Sequence, residues 1–246
     1  MTKVLKKRFL NENKTLFEIV VDAPQIAKKA HGGNFVMLRL SEKGERFPLT
    51  IADYDRAKGT ISMVVLAIGK STTELSLKEE GDEILDFVGP LGQDAHINNY
   101  ENPVVVVGGG VGIAAIYPQA KELKEAGNYV ISILGARNKN LLFWQKEFKP
   151  ISDELIITTD DGSEGKKGTV VDALRELMQS KKIDRVIAIG PLIMMKFVAQ
   201  LTNGKADLPK IDTTVSLNPI MVDGTGMCGG CRFQTLHGEK IGRAHV

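Results

Sequence analysis

The chain has 246 residues, with 32 basic against 30 acidic side chains and a net charge of +2. Apolar residues make up 43% and charged residues 25%, ordinary globular usage that excludes intrinsic disorder. So even a charge balance leaves no basic face for nucleic acid. The longest apolar stretch, Val104 to Tyr117, is too short for a bilayer span and holds four glycines. No apolar signal core follows the basic start MTKVLKKRF. The expectation is a soluble cytoplasmic protein with no membrane or nucleic-acid partner. Cys228 and Cys231 are the two cysteines, so no disulfide framework holds the fold.

Residues 1–98 read as a β-barrel. Val4 to Leu10, Thr15 to Val21, Phe35 to Leu40 and Thr60 to Ile68 are apolar, β-branched runs, punctuated by Gly32-Gly33, Lys43-Gly44 and Lys58-Gly59. Ser71-Thr72-Thr73-Glu74 has the pattern of a capping box and predicts a helix to about Glu80. Asp82 to Val88 predicts one more strand, stopped at Gly89-Pro90. Many short strands and one small helix suit a barrel.

The polar segment Asn98 to Pro103 marks a boundary, and residues 103–215 then alternate. Strands are expected at Val104–Val107, Tyr129–Gly135, Leu155–Thr159 and Ile183–Ile189. Helices are expected at Ile113–Ala126, Leu141–Phe148, Val170–Gln179 and Leu192–Leu201. That is a parallel α/β sheet wrapped by helices.

The first of these strands runs straight into Gly108-Gly109-Gly110-Val111-Gly112-Ile113-Ala114-Ala115, in which Gly110 to Ala115 fits G-x-G-x-x-A. Glycines at that place let backbone N–H groups approach a pyrophosphate at a helix start. The acidic residue that a Rossmann site carries about 20 residues on, for the ribose, is missing. Gly135-Ala136-Arg137-Asn138 stands there instead. Asp160-Asp161-Gly162 and Gly190-Pro191 end later strands and face the same crevice by topology. For the two aspartates, ribose contact and a plain solvated turn both stay open.

Arg46-Phe47-Pro48-Leu49-Thr50 and Gly69-Lys70-Ser71-Thr72 hold donors suited to phosphate, although each also reads as an ordinary surface arginine and an ordinary helix start. Cys228-Gly229-Gly230-Cys231 precedes a strand-like run, Arg232 to Leu236, which argues against a thioredoxin pair. His237 alone does not complete a zinc set. Asp223 to Cys231 matches the plant-type iron–sulfur spacing C-x4-C-x2-C with Asp in the first place.

From Val4 to Glu239 the chain resembles the small flavin and 2Fe-2S subunit of the NADH-dependent reduced ferredoxin:NADP oxidoreductases, also described as the sulfide dehydrogenase small subunit. That group is related to the dihydroorotate dehydrogenase electron-transfer subunit within the ferredoxin reductase-like superfamily. The stretch that carries most of the likeness is Ser216-Leu217-Asn218-Pro219-Ile220-Met221-Val222-Asp223-Gly224-Thr225-Gly226-Met227-Cys228-Gly229-Gly230-Cys231-Arg232. The resemblance implies hydride exchange between NAD(H) and FAD, with single electrons going to a 2Fe-2S cluster. It assigns Arg46, Pro48, Leu49, Thr50, Leu66, Gly69, Ser71 and Thr72 to FAD. It assigns Gly110, Val111, Gly112, Asp160, Asp161, Gly162, Gly190 and Pro191 to the nicotinamide nucleotide, and Asp223, Cys228 and Cys231 to the cluster, in a loop over residues 216–240. It names no catalytic acid or base. It implies as partners a larger glutamate synthase-like subunit with FAD and 4Fe-4S clusters, and ferredoxin. Asp223 separates this branch from the dihydroorotate branch, which has four cysteines; a dihydroorotate dehydrogenase subunit and a non-enzymatic nucleotide-binding flavodomain are the alternatives. The family's further cysteine beyond Cys231 has no counterpart here. Residues 241–246, with Lys240 before them, read as translated sequencing adapter, which would remove His245 as a ligand.

Overall fold

The computed structural model describes residues 1–204, 208–217, 221–235 and 238–241. The chain divides into two units: Met1–Ala95 together with the segment from Leu217 onward, and His96–Ser216.

In the first unit β1 (Thr2–Phe9) and β2 (Leu16–Asp22) are antiparallel. The period-two pattern of β2 sends Phe17, Ile19 and Val21 inward. A short α1 (Pro24–Ala27), which the sequence reading missed, starts on its proline. Then come β3 (Phe35–Arg39), β4 (Phe47–Thr50), β5 (Asp53–Asp55), β6 (Thr60–Leu66), α2 (Lys70–Ser76), β7 (Glu83–Ile84) and β8 (Asp86–Leu91). They form two antiparallel sheets, ordered β5-β6-β2-β1-β7 and β4-β3-β8. Both sheets line one core, with Phe17, Ile19, Val36, Leu38, Ile61 and Ile84 among its residues. That shared core is what makes the unit a barrel.

Two expectations change here. The strand expected over Asp82–Val88 is two strands, because β7 pairs with β1 while β8 pairs with β3. The chain therefore changes sheet at Leu85 and continues through Gly89-Pro90 to Leu91. The capping box expected at Ser71 is also displaced. Helix α2 starts at Lys70 with Gly69 as its cap, and the Thr72 hydroxyl accepts the N–H groups of Ile68 and Gly69. At the other end Lys7 donates to the carbonyls of Ser76 and Lys78 at 2.7 and 2.8 Å. A cation beside the last carbonyls of a helix offsets their unpaired dipoles.

The second unit contains β9 (Val104–Gly109), α3 (Gly112–Glu125), β10 (Val130–Ala136), α4 (Gln145–Phe148), β11 (Glu154–Thr159), β12 (Lys166–Lys167), α5 (Val170–Ser180), β13 (Arg185–Ile189), α6 (Leu192–Leu201) and β14 (Asp212–Val215). Its sheet is parallel, in the order β12-β11-β10-β9-β13-β14. Strand order reverses between β9 and β13, the switch point at which such sheets hold ligands. The buried positions Val170, Ala173, Leu174, Leu177 and Met178 of α5 recur at helical spacing, and its Thr169 cap and Asp172 close a capping box. The helix expected over Leu141–Phe148 is broken instead. Trp144 lies in the left-handed region at φ 59°, leaving a 3-10 turn at Lys139–Leu141 and the single turn of α4.

The cysteine loop belongs to the first unit, where buried Cys231 packs on Phe35 and Met37 of β3. It leads into the hairpin β15 (Arg232–Thr235) and β16 (Gly238–Ile241). Among the described residues no helix is long and apolar enough to cross a membrane. Asn218, Pro219, Ile220, Leu236, His237 and the tail from Gly242 through Val246 lie outside the described residues.

Candidate functional site

The glycine loop sits at the switch point. Gly112 is dictated by packing: a Cβ there would lie 2.8 Å from the Gly190 Cα and would collide with the Ile189 carbonyl. Gly110 is dictated by backbone geometry, with φ at 55° and open space around its absent Cβ. Helix α3 starts at Gly112 without a side-chain cap. The N–H of Gly110 is spent on the Gly135 carbonyl at 3.0 Å. Those of Val111 and Gly112 have no acceptor among the described residues. Two free donors at the positive end of a 14-residue helix are a ready anion site. Gly190-Pro191, at the end of β13, packs directly on this loop.

The structure places Asp160 and Asp161 at the same end of the sheet but two strands away, past β10. Their N–H groups bond to the carbonyls of Ala136 and Arg137. Asp161 accepts the Ser163 N–H at 2.9 Å, and its bonds to Ser163 hold its carboxyl below the usual carboxylate range. Exposed Arg137 follows the last residue of β10 and has no side-chain partner among the described residues.

In the barrel, Arg46 enters β4, on which Pro48, Leu49 and Thr50 follow. Leu66 ends β6, three residues before Gly69. Glu45 accepts the Ser71 hydroxyl, which ties the start of β4 to the first turn of α2. Of the residues assigned to FAD by resemblance, those at the start of β4 and those at the start of α2 are thus brought near one another. Arg46 is not simply solvated: it donates to Asp86 Oδ2 at 2.9 Å, an oxygen that also accepts Arg39 Nε at 2.7 Å. Neither Asp86 nor Glu45 carried any signal in the sequence, because both act across strands.

In the cysteine loop, Asp223 Oδ1 accepts the N–H groups of Thr225 and Gly226, and Oδ2 accepts the Cys228 N–H and the Thr225 hydroxyl. These bonds, that of Cys228 first, hold the Asp223 carboxyl far below the ordinary range. Exposed Cys228 accepts the Gly230 N–H on sulfur at 3.4 Å. Among the described residues no three His, Cys, Asp or Glu side chains are grouped to hold a metal ion.

No family model matches the chain. The dihydroorotate dehydrogenase B (NAD(+)) electron transfer subunit homolog of Thermotoga maritima is 53% identical over 239 residues, which span 97% of this chain and 82% of that protein. The dihydroorotate dehydrogenase B (NAD(+)) electron transfer subunit of Desulforamulus reducens is 34% identical over 89% of this chain and 83% of its own length. A solved structure of an NADH-dependent reduced ferredoxin-NADP oxidoreductase, studied for flavin-based electron bifurcation, superposes with a TM-score of 0.90 at 48% identity, covering 99% of this chain and 87% of that one. The barrel and the parallel α/β sheet are thus a ferredoxin reductase-like fold. With identity at this level along nearly its whole length, the chain belongs to the family of dihydroorotate dehydrogenase B electron transfer subunits and their homologues.

Proposed function

We propose that the chain is an oxidoreductase subunit that exchanges a hydride between NAD(H) and FAD and delivers single electrons, through a 2Fe-2S cluster, to a partner protein. The observation that carries this reading is the uncapped start of α3, where the Val111 and Gly112 N–H groups lack acceptors at the sheet's switch point. That place suits the pyrophosphate of a nicotinamide nucleotide, with Gly190 and Pro191 lining the other side of the crevice.

On the barrel, Arg46 supplies charge-assisted donors to an FAD phosphate, Thr50 a hydroxyl beside the flavin, and the first turn of α2 a second polar wall. When bound, the flavin supplies the conversion between hydride and single electrons and the cluster supplies a one-electron outlet. The protein residues bind and orient; none is needed as an acid or base.

The donor chemistry of the cysteine loop fits iron in part. Cys228 and Cys231 are soft thiol ligands, and the Gly230 N–H already points at sulfur. The acceptor sites of Asp223 are filled by its own loop, so ligating iron takes one of them from Thr225, Gly226 or Cys228. Exposed Val222 just before this loop and exposed Met227 within it suit a protein that covers it. The relatives, an electron transfer subunit and a ferredoxin-NADP oxidoreductase, support a larger catalytic subunit and ferredoxin as partners.

The test is anaerobic. Protein reconstituted with FAD is titrated with NADH while the flavin absorption is followed, and native protein is purified with whatever it retains. Bleaching of the flavin by NADH and recovery of a larger flavoprotein are the expected results. A colourless preparation that takes up neither FAD nor FMN overturns the reading.

A further inference from the structure

We propose that Asp86 is a positioning residue for Arg46, holding its guanidinium so that its free donors face an incoming phosphate. The inference rests on the reading of Arg46 as an FAD-phosphate ligand. It begins with the register of the three-stranded sheet. Arg39, the last residue of β3, pairs with Asp86 on β8, and Leu38 pairs with Phe47 on β4. One further step along β3 puts Arg46 opposite Arg39. Arg46, Arg39 and Asp86 therefore form a row across the sheet, and same-row residues project from the same face.

The Asp86 carboxylate reaches past the central strand. Its Oδ2 atom accepts Arg39 Nε at 2.7 Å and Arg46 Nη2 at 2.9 Å. Arg39 is anchored from a second side, donating from Nη1 to the Glu42 carbonyl at 3.1 Å. Asp86 is therefore fixed by Arg39 and in turn fixes Arg46. The Arg46 side chain is 56% exposed, against 26% for Asp86. Its other N–H groups have no acceptor among the described residues. With the neighbouring Glu45 carboxylate counted, two guanidinium groups face two carboxylates, so the attraction for an anion rests on the Arg46 donors left free rather than on a net charge. Adjacent Glu45 is held on Ser71, which pins the same turn toward α2.

An arginine left alone loses rotamer freedom when it binds. One already held by a carboxylate has lost it in advance, and the binding of phosphate is correspondingly tighter.

The experiment measures FAD affinity of the apoprotein by flavin fluorescence for wild type, Asp86→Asn, Asp86→Glu, Arg46→Ala and the double variant Asp86→Asn/Arg46→Ala. Asp86→Asn is expected to weaken FAD binding about five- to tenfold. Asp86→Glu should recover most of that loss, and the double variant should bind no more weakly than Arg46→Ala. A purely structural Asp86 would not show this non-additivity. Should Asp86→Asn fail to fold, Asp86→Ser takes its place, keeping an acceptor for Arg39 without the charge. Unchanged or tighter FAD binding in the uncharged variant, or losses that add in the double variant, overturns the proposal. If Arg46→Ala itself leaves FAD affinity unchanged, the flavin reading of Arg46 falls, a result distinct from failure of Asp86 alone.

Discussion

The Asp223 Oδ2 atom accepts the Cys228 backbone N–H at 2.8 Å, so the carboxylate organises the loop that presents the thiol. Replacing Asp223 by Ala removes the acceptor for four donors at once. The loop should lose its order while the barrel core stays folded. Amide hydrogen exchange of residues 223–231 should rise by orders of magnitude in Asp223→Ala, with little change in β2 or β6. Unchanged protection would show that packing of Cys231 on Phe35 and Met37 suffices.

Two glycines of one loop should behave differently. Gly112→Ala drives a methyl into the Ile189 carbonyl and should destabilise the second unit by more than about 2 kcal/mol. Gly110→Ala meets open space and bears only the left-handed backbone penalty, about 1–2 kcal/mol. Urea unfolding followed through Trp144, which lies in the second unit, measures both.

The start of α5 should make stability depend on acid. Thr169 and Asp172 cap each other, and the bond from the Thr169 hydroxyl leads the causes that lower the Asp172 carboxyl. A carboxyl depressed in the folded state adds stability above its unfolded pKa, and that stability is lost as pH falls through the folded value. The contribution should therefore be whole at pH 7 and fade below about pH 4. Asp172→Asn should flatten that part of the profile, and Thr169→Ala should cost about 1 kcal/mol. Thermal melts from pH 7 to pH 3 decide it.

NADH should be preferred to NADPH. Exposed Asp160 and ionised Asp161 stand next to the end of β10, the place that the proposed nucleotide site gives to a 2′-phosphate. Arg137 and Lys167, whose side chain lies against Gly162, are opposing charges. Anaerobic flavin reduction should be faster with NADH, and Arg137→Ala should raise KM for NADPH more than for NADH. Faster reduction by NADPH in the wild type would show that these cations outweigh the aspartates.

Lys7 should matter more than a surface lysine does. Its side chain is 4% exposed and caps the Ser76 and Lys78 carbonyls. Lys7→Met leaves both without that donor and should cost about 1–3 kcal/mol, read from chemical unfolding.

Local pattern alone determined the central strands and three of the four expected helices of the α/β unit, but not its edge strands β12 and β14. Val104–Val107 is a strand with no polar residue, and Val170 to Met178 repeats at helical spacing; neither needs a distant partner to declare itself. The glycine loop was legible for the same reason, since strand, glycines and helix are contiguous. Tertiary structure decided what depends on pairing across the chain. The break at Leu85 exists because β7 and β8 bond to different sheets, and no local residue announces which sheet a strand will join. Trp144 interrupts an apolar run that periodicity alone reads as a helix, because the aromatic cluster with Tyr117 and Phe148 buries it in a left-handed conformation. The cysteine spacing was visible, but the inward turn of Asp223 onto its own loop was not. Arg46 was visible as a phosphate donor, but its partner Asp86 lies 40 residues away and meets it only because β3 stands between their strands. Short-range patterns are set by backbone periodicity, whereas side-chain partnerships are set by which strands the fold brings side by side.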